Sequence, residues 1–206
     1  MLAGVSFVGG LATGLSLADA PFPRPGADVK DVQRFFIGSA GPERINVTGQ
    51  LVSAASLARY SVSVARLAGR AGRGSKALRA AAIAGGALAS ASLAASATAA
   101  AALTAGPGRD EDRASFLHRF VFAAGGPVHG AGLALLLGAL GLAGLRTGVL
   151  PRPLAVAVLT SAGVDAFAPI VLAAPRAALV IPAGRFPTFV VLGITGVRLA
   201  RGSGGG

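Results

Sequence analysis

Six apolar runs, separated by charged or proline-rich connectors, set the pattern of this chain. They cover residues 2–17, 45–67, 80–104, 120–145, 154–174 and 177–199. Most are long enough for a helix to cross a hydrocarbon layer, which takes about 20 residues. The pattern predicts an all-α transmembrane helical bundle of about six spans. It forms one domain over residues 1–201, and the glycine-rich tail 202–206 is expected to be disordered. In the first run Ser6, Gly10, Gly14 and Ala18 recur at every fourth position. Such a stripe lets another helix approach closely, although the abundance of Gly and Ala here accounts for it as well. Ala18, Asp19 and Ala20 resemble a signal-peptide cleavage site, but no basic residue precedes the run, so it is read as a span.

The connectors have their own periodicity. After Pro21, Pro23 and Pro25, the residues Val29, Val32 and Phe36 fall on one side at helical spacing, which predicts a short amphipathic helix at the membrane surface. Run 45–67 is two-sided. Leu51, Ala54, Ala55, Ala58, Val62 and Ala65 make an apolar face, and Ser56, Arg59, Ser63 and Arg66 a polar one. It either spans, with Arg59 turned into the bundle, or lies on the surface and leaves five spans. Gly125, Gly126 and Pro127 should weaken or kink the fourth run. Pro182 and Pro187 interrupt the last, which forms a hairpin with its predecessor about Pro175 and Arg176.

Composition agrees with an apolar solvent. Hydrophobic residues make up 53% and charged residues 13% of the chain, and the mean hydropathy is +0.68; soluble domains carry about 25% charged residues. The net charge is +11, but no nucleic-acid-binding motif accompanies it. The basic residues cluster instead in connectors, at Arg70, Arg73, Lys76 and Arg79 and at Arg146 and Arg152. The loop 109–113 balances its arginines with Asp110, Glu111 and Asp112. By the positive-inside rule the C-terminus, with Arg198 and Arg201, is cytoplasmic. The expected location is a bacterial inner membrane, with anionic lipid headgroups as partners of the basic loops. The Gly- and Ala-rich faces suit packing within the chain or in a homo- or hetero-oligomer.

The turn Leu145, Arg146, Thr147, Gly148, Val149, Leu150, Pro151, Arg152 resembles one found in small multi-pass membrane proteins of unknown function from high-GC bacteria. Those proteins also place a short Asp- and Phe-bearing surface helix after the first span, as residues 31–36 do here. The resemblance implies the same order of spans, and so favours crossing by 45–67. An aromatic usually follows the turn's proline–arginine, where this chain has Pro153, and the second span of that family is more apolar. The family has no established activity, so the resemblance assigns no functional residue.

Catalytic signatures are missing. There is no H-E-x-x-H, G-x-S-x-G or S-x-x-K pattern, and residues 69–74 have the wrong order for a dinucleotide loop. Without Cys, and with His118 and His129 eleven positions apart, no metal or cofactor site is expected. What remains is charge at membrane depth: Asp165, Arg185, His129 and Arg59. Each costs roughly 2.5–3.5 kcal/mol on an insertion scale if it faces lipid. Asp165 and Arg185 stand ten residues on either side of Pro175, and so at equal depth. They are expected to form an ion pair, with His129 in reach. The reading is a non-enzymatic structural or partner-binding membrane protein; the alternative is a small transporter or channel-like protein that uses Asp165, Arg185 and His129.

Overall fold

The computed structural model describes residues 2–105, 110–174 and 180–202. Among them every regular element is helical. In chain order these are α1 (Leu2–Ser16), α2 (Val29–Gly38), α3 (Ala40–Gly69), α4 (Ser75–Leu103), α5 (Glu111–Ala123), α6 (His129–Thr147), α7 (Arg152–Ala166), α8 (Ile170–Ala173) and α9 (Val180–Gly202). A π-helical turn, Ala124–Val128, fuses α5 to α6. Arg109, the turn at Pro175 and Arg176, and tail residues 203–206 lie outside the described residues.

Local chemistry explains the ends of these helices. Asp28 caps α2 by accepting a hydrogen bond from the Lys30 N–H at 2.8 Å, and Asp110 caps α5 by accepting from the Arg113 N–H at 2.9 Å. Each cap satisfies a backbone donor that the first turn leaves unpaired. α6 stops at Gly148, whose φ of 70° is open to glycine at little cost. Pro151 then presets the entry to α7. The weakness expected at Gly125, Gly126 and Pro127 takes the form of the π turn. Pro127 has no N–H to donate, and the helix shifts register there instead of breaking. The composite helix starts at Glu111, nine positions before the apolar run, and extends for 37 residues.

Six long elements pack antiparallel in the order α1, α3, α4, α5–α6, α7, α9, and α9 returns to touch α1. Glycines set the spacing. A Cβ on Gly10 would lie 3.0 Å from the Gly49 Cα, and one on Gly132 would lie 2.5 Å from the Ala89 nitrogen. The stripe in α1 is therefore a packing surface, beyond what composition alone would give. Leu93, Leu133, Leu136, Leu137 and Leu140 fill the interior between these contacts. α2 lies across one end. Val32, Phe35 and Phe36 are buried there with Ala97, Ala100, Leu103 and Ala114 of α4 and α5.

Three stretches, Ser75–Leu103, Glu111–Thr147 and Arg152–Ala173, are long and apolar enough to cross a membrane. α3 is a single 30-residue helix held lengthwise between α1 and α4. Both of its faces are mixed. Glu43, Asn46, Gln50, Ser53 and Ser61 are buried beside Val47, Leu57, Val64 and Leu67, and Ile45, Leu51, Val52 and Val62 are exposed beside Arg44, Thr48, Ser63 and Arg66. Arg59 is also exposed, contrary to the expectation that it turns into the bundle. Gly49 must face α1, and that contact fixes the rotation of α3 with Arg59 on its outer side.

Close approach makes a direct prediction. Gly132→Ala should lower stability by about 1–3 kcal/mol, because the α4 backbone opposite cannot yield. Gly138→Ala, on the same helix with nothing within 4 Å of its added Cβ, should be neutral or stabilising by up to about 1 kcal/mol. Melting temperatures of the purified variants check the contrast.

Candidate functional site

The π turn is where the bundle's polar groups converge. The His129 N–H bonds the carbonyls of Ala124 and Gly126. The Gly125 carbonyl between them accepts a hydrogen bond from the Arg185 guanidinium of α9. Arg185 also lies over the ring of Phe7 in α1, with its central carbon 5.1 Å from the centroid. Phe7 in turn packs on Phe189 at 4.9 Å. One guanidinium thus joins α1, the π turn and α9, through a hydrogen bond and a cation–π contact that are strengthened away from water.

Asp165 and Arg185 are neighbours close enough to attract one another, but the expected ion pair is not formed. Among the described residues the ion pair within 4.0 Å is the surface pair Arg34–Asp31. The Asp165 carboxylate instead accepts a hydrogen bond from the Thr188 hydroxyl at 2.7 Å. Equal depth was the right inference, but depth does not set rotation. Gly184 passes directly against Asp165, which turns Arg185, one position on, toward the π turn. Thr188, one helical turn from Gly184, meets the carboxylate. His129 is fully buried and makes no hydrogen bond to Arg185. Its Nδ1 bonds the Ala89 carbonyl at 2.8 Å, and so carries the proton. The Nε2 atom on the other side has no hydrogen-bond partner.

A second set of polar groups was not foreseen. Glu43, Asn46 and Gln50 form a ladder on the inner face of α3. The Asn46 amide donates to Glu43 at 3.1 Å, and the Gln50 amide donates to Asn46 at 3.2 Å. Ser96 of α4 donates to the Val121 carbonyl at 3.0 Å. The ladder, Ser96, Gly125 and Arg185 line one cavity of about 460 Å³, which Phe7, Leu11 and Phe22 complete with apolar walls. Phe22 belongs to the strap between α1 and α2. That strap is held by Ser39, whose hydroxyl accepts from the Asp19 N–H at 3.1 Å, and by ring contacts of Phe22 with Phe35 and Phe36. The sequence signal was available: positions 43, 46 and 50 share one helical face. No group of three His, Cys, Asp or Glu suited to a metal ion occurs among the described residues.

The four residues singled out from sequence therefore divide. Arg185 stands at the centre, beside Asp165 and His129. Arg59 lies on the outer surface, in a groove with Ser56, Tyr60 and Ser63.

Glu43 stands before the 45–67 run, and burial raises its carboxyl above the ordinary range. A raised folded value favours the protonated form. The resulting stability is present below the unfolded pKa and is lost as pH rises through the raised one. Glu43→Gln should flatten that decline in a series of melting temperatures against pH. Thr188→Val should lower stability by about 1–3 kcal/mol, because the buried carboxylate loses its donor, and Thr188→Ser should restore most of it. Comparison with protein-family models, curated proteins and solved structures finds no match to this chain.

Proposed function

We propose that this chain is a multi-pass membrane protein that binds a small zwitterionic solute in the cavity between Glu43 and Arg185 and carries it across the bilayer. The crossings are α1, α3 (through residues 45–67), α4, the α5–α6 unit, α7 and α9, with the C-terminus cytoplasmic. Charge supports this topology. The end that holds Asp19, Asp28, Asp31, Glu43, Asp110, Glu111 and Asp112 also holds Arg24, Lys30, Arg34, Arg44, Arg113 and Arg119, so its charges nearly balance. Arg70, Arg73, Lys76, Arg79, Arg146 and Arg152 belong to the other end, where no acid accompanies them and where α9 also ends. Exposed Val5, Ile83, Leu88, Leu135, Leu142, Val156, Val190 and Ile194 give the outer surface the apolar character that lipid requires. The resemblance of the 145–152 turn to small multi-pass proteins of high-GC bacteria supports the same order of spans.

One observation carries the solute reading. A buried carboxylate and a buried-side guanidinium line the same cavity, yet they form no ion pair with each other. Arg185 is held by the Gly125 carbonyl and the Phe7 ring. Glu43, which burial favours in its protonated form, is held by the Asn46 amide. Neither has a counter-charge in direct contact, and a buried charge without one is costly. A ligand with an ammonium group toward Glu43 would favour its ionised form, and a carboxylate on the same ligand would give Arg185 a counter-charge. The apolar walls would accept its side chain, and the amides of Asn46 and Gln50 offer orientation. Nothing in the arrangement calls for bond chemistry; binding and release are sufficient. The ion pair expected from sequence would have fixed helix packing, and Arg185 does serve packing, through Gly125 and Phe7.

The test is uptake of radiolabelled glycine and leucine by proteoliposomes. The wild-type protein should accumulate at least one of them, and Glu43→Gln should reduce the uptake by about tenfold or more while keeping the wild-type melting profile at low pH. Absence of uptake, with no shift in melting temperature on adding either solute, would count against the proposal.

A further inference from the structure

Arg59 stands where a lone charge is least tolerated. In a spanning α3, the apolar run 45–67 has its middle at Ser56, and Arg59 follows three residues later, about 4–5 Å along the axis. The hydrocarbon layer extends about 15 Å to either side of its middle. About 10 Å therefore remain to the nearer edge, farther than an arginine side chain extends when it reaches toward water. Arg59 is exposed, and among the described residues no acid lies within 4.0 Å of it. A charge at that depth is stable beside a group of opposite sign or in water, not against lipid.

The chain itself does not supply the opposite charge. Of its eight acids, all but Asp165 belong to the end of the bundle that carries α2. Asp165 lies within a span, but it is buried and engaged by Thr188. A second copy, in either orientation, therefore brings no free carboxylate to the depth of Arg59. The surface around the arginine is nevertheless suited to a helix. Its groove, of about 560 Å³, is lined by Ser56 and Ser63, one helical turn to either side of Arg59, and by Ala3, Gly4, Gly193 and Gly196 of α1 and α9. Small residues let another backbone approach closely, and hydroxyls hydrogen-bond across such an interface. Through Gly4, Gly193 and Val197 the groove continues into an apolar one between α1 and α9.

We propose that this surface docks a transmembrane helix of a different membrane protein, one that carries an aspartate or glutamate near the middle of its apolar run. The partner's carboxylate pairs with Arg59 beside the Ser56 and Ser63 hydroxyls, and its backbone rests on the glycines of α1 and α9. Opposite charges brought together in the apolar layer each offset the other's cost. The inference rests on the membrane-spanning reading of α3 and is independent of the solute cavity.

The experiment measures energy transfer in phosphatidylcholine vesicles between the labelled chain and apolar peptides of about 20 residues that bear one central Glu, Gln or Arg. The Glu peptide should associate about fivefold or more tightly than the Gln peptide. Arg59→Gln should abolish that preference, and Arg59→Glu should transfer it to the Arg peptide. Gly193→Leu should weaken association as well. A Cβ there meets nothing within 4 Å, so the side chain fills the groove without disturbing the bundle, and wild-type melting temperatures verify that each variant is folded. Equal association of the Glu and Gln peptides with the wild-type chain, or a preference that survives Arg59→Gln, overturns the proposal. Self-association of the chain that Arg59→Gln abolishes also overturns it, because a second copy then occupies the groove. The depth of α3 is read separately. The chain has no Trp, so Val52→Trp, at an exposed position two turns before Arg59, should be quenched by bromines deep in the acyl chains. Absence of quenching removes the spanning reading and the proposal with it, whereas quenching with equal peptide association removes the proposal alone.

Discussion

Direct contact between helix backbones is the constraint on which the rest of this structure depends. Gly10 meets Gly49, Gly132 meets Ala89, and Gly85 meets the backbone of Leu136. At such separations there is no room for a side chain on the glycine, so each contact fixes the distance between two helices and also their rotation. A glycine can make the contact only if it points at its neighbour. Once Gly49 faces α1, the positions on the same side of α3 face the interior, and Asn46 and Gln50 are carried inward with it. Once Gly184 faces Asp165, Arg185 is carried past the carboxylate toward the π turn.

Polar groups follow from that geometry in two ways. Some are absorbed by the fold: Thr188 satisfies Asp165, the Ala89 carbonyl satisfies one nitrogen of His129, and Arg185 satisfies Gly125. The Gly125 contact lies where the helical ladder is disturbed by Pro127, and a disturbed ladder presents carbonyls that another part of the chain can bond. Others are gathered beside a space. The α1–α9 seam is packed by Phe7 and Phe189 rather than by glycine on both sides. Bulky rings hold the helices apart, and both the inner cavity at Arg185 and the outer groove at Gly193 adjoin this seam. The molecule is dense where glycines meet and open where aromatics stand.

Much of this was legible in the residues alone. The helical character, the short amphipathic helix before α3, the tight basic turn at Gly148 and the acid-free basic connectors at one end all followed from hydropathy, Gly and Pro placement, and connector charge. Those are properties of short windows, and short windows suffice because backbone hydrogen bonds within a helix are local. The neighbourhood of Asp165, Arg185 and His129 was also legible, since depth along antiparallel helices can be counted from a turn.

The partners within that neighbourhood could not be read in the same way. Counting gives depth, but the direction a side chain faces depends on which glycine of which distant helix makes contact. Thr188 therefore took the place expected of Arg185 beside Asp165, and Arg59 turned outward. The ladder of Glu43, Asn46 and Gln50 acquired a meaning only when Ser96 and Arg185 arrived across the cavity from α4 and α9. Sequence by itself determined where the helices are and which end is basic, because those depend on local composition. Tertiary structure alone decided which polar side chains meet, because rotation about a helix axis is set by contacts between residues far apart in the chain.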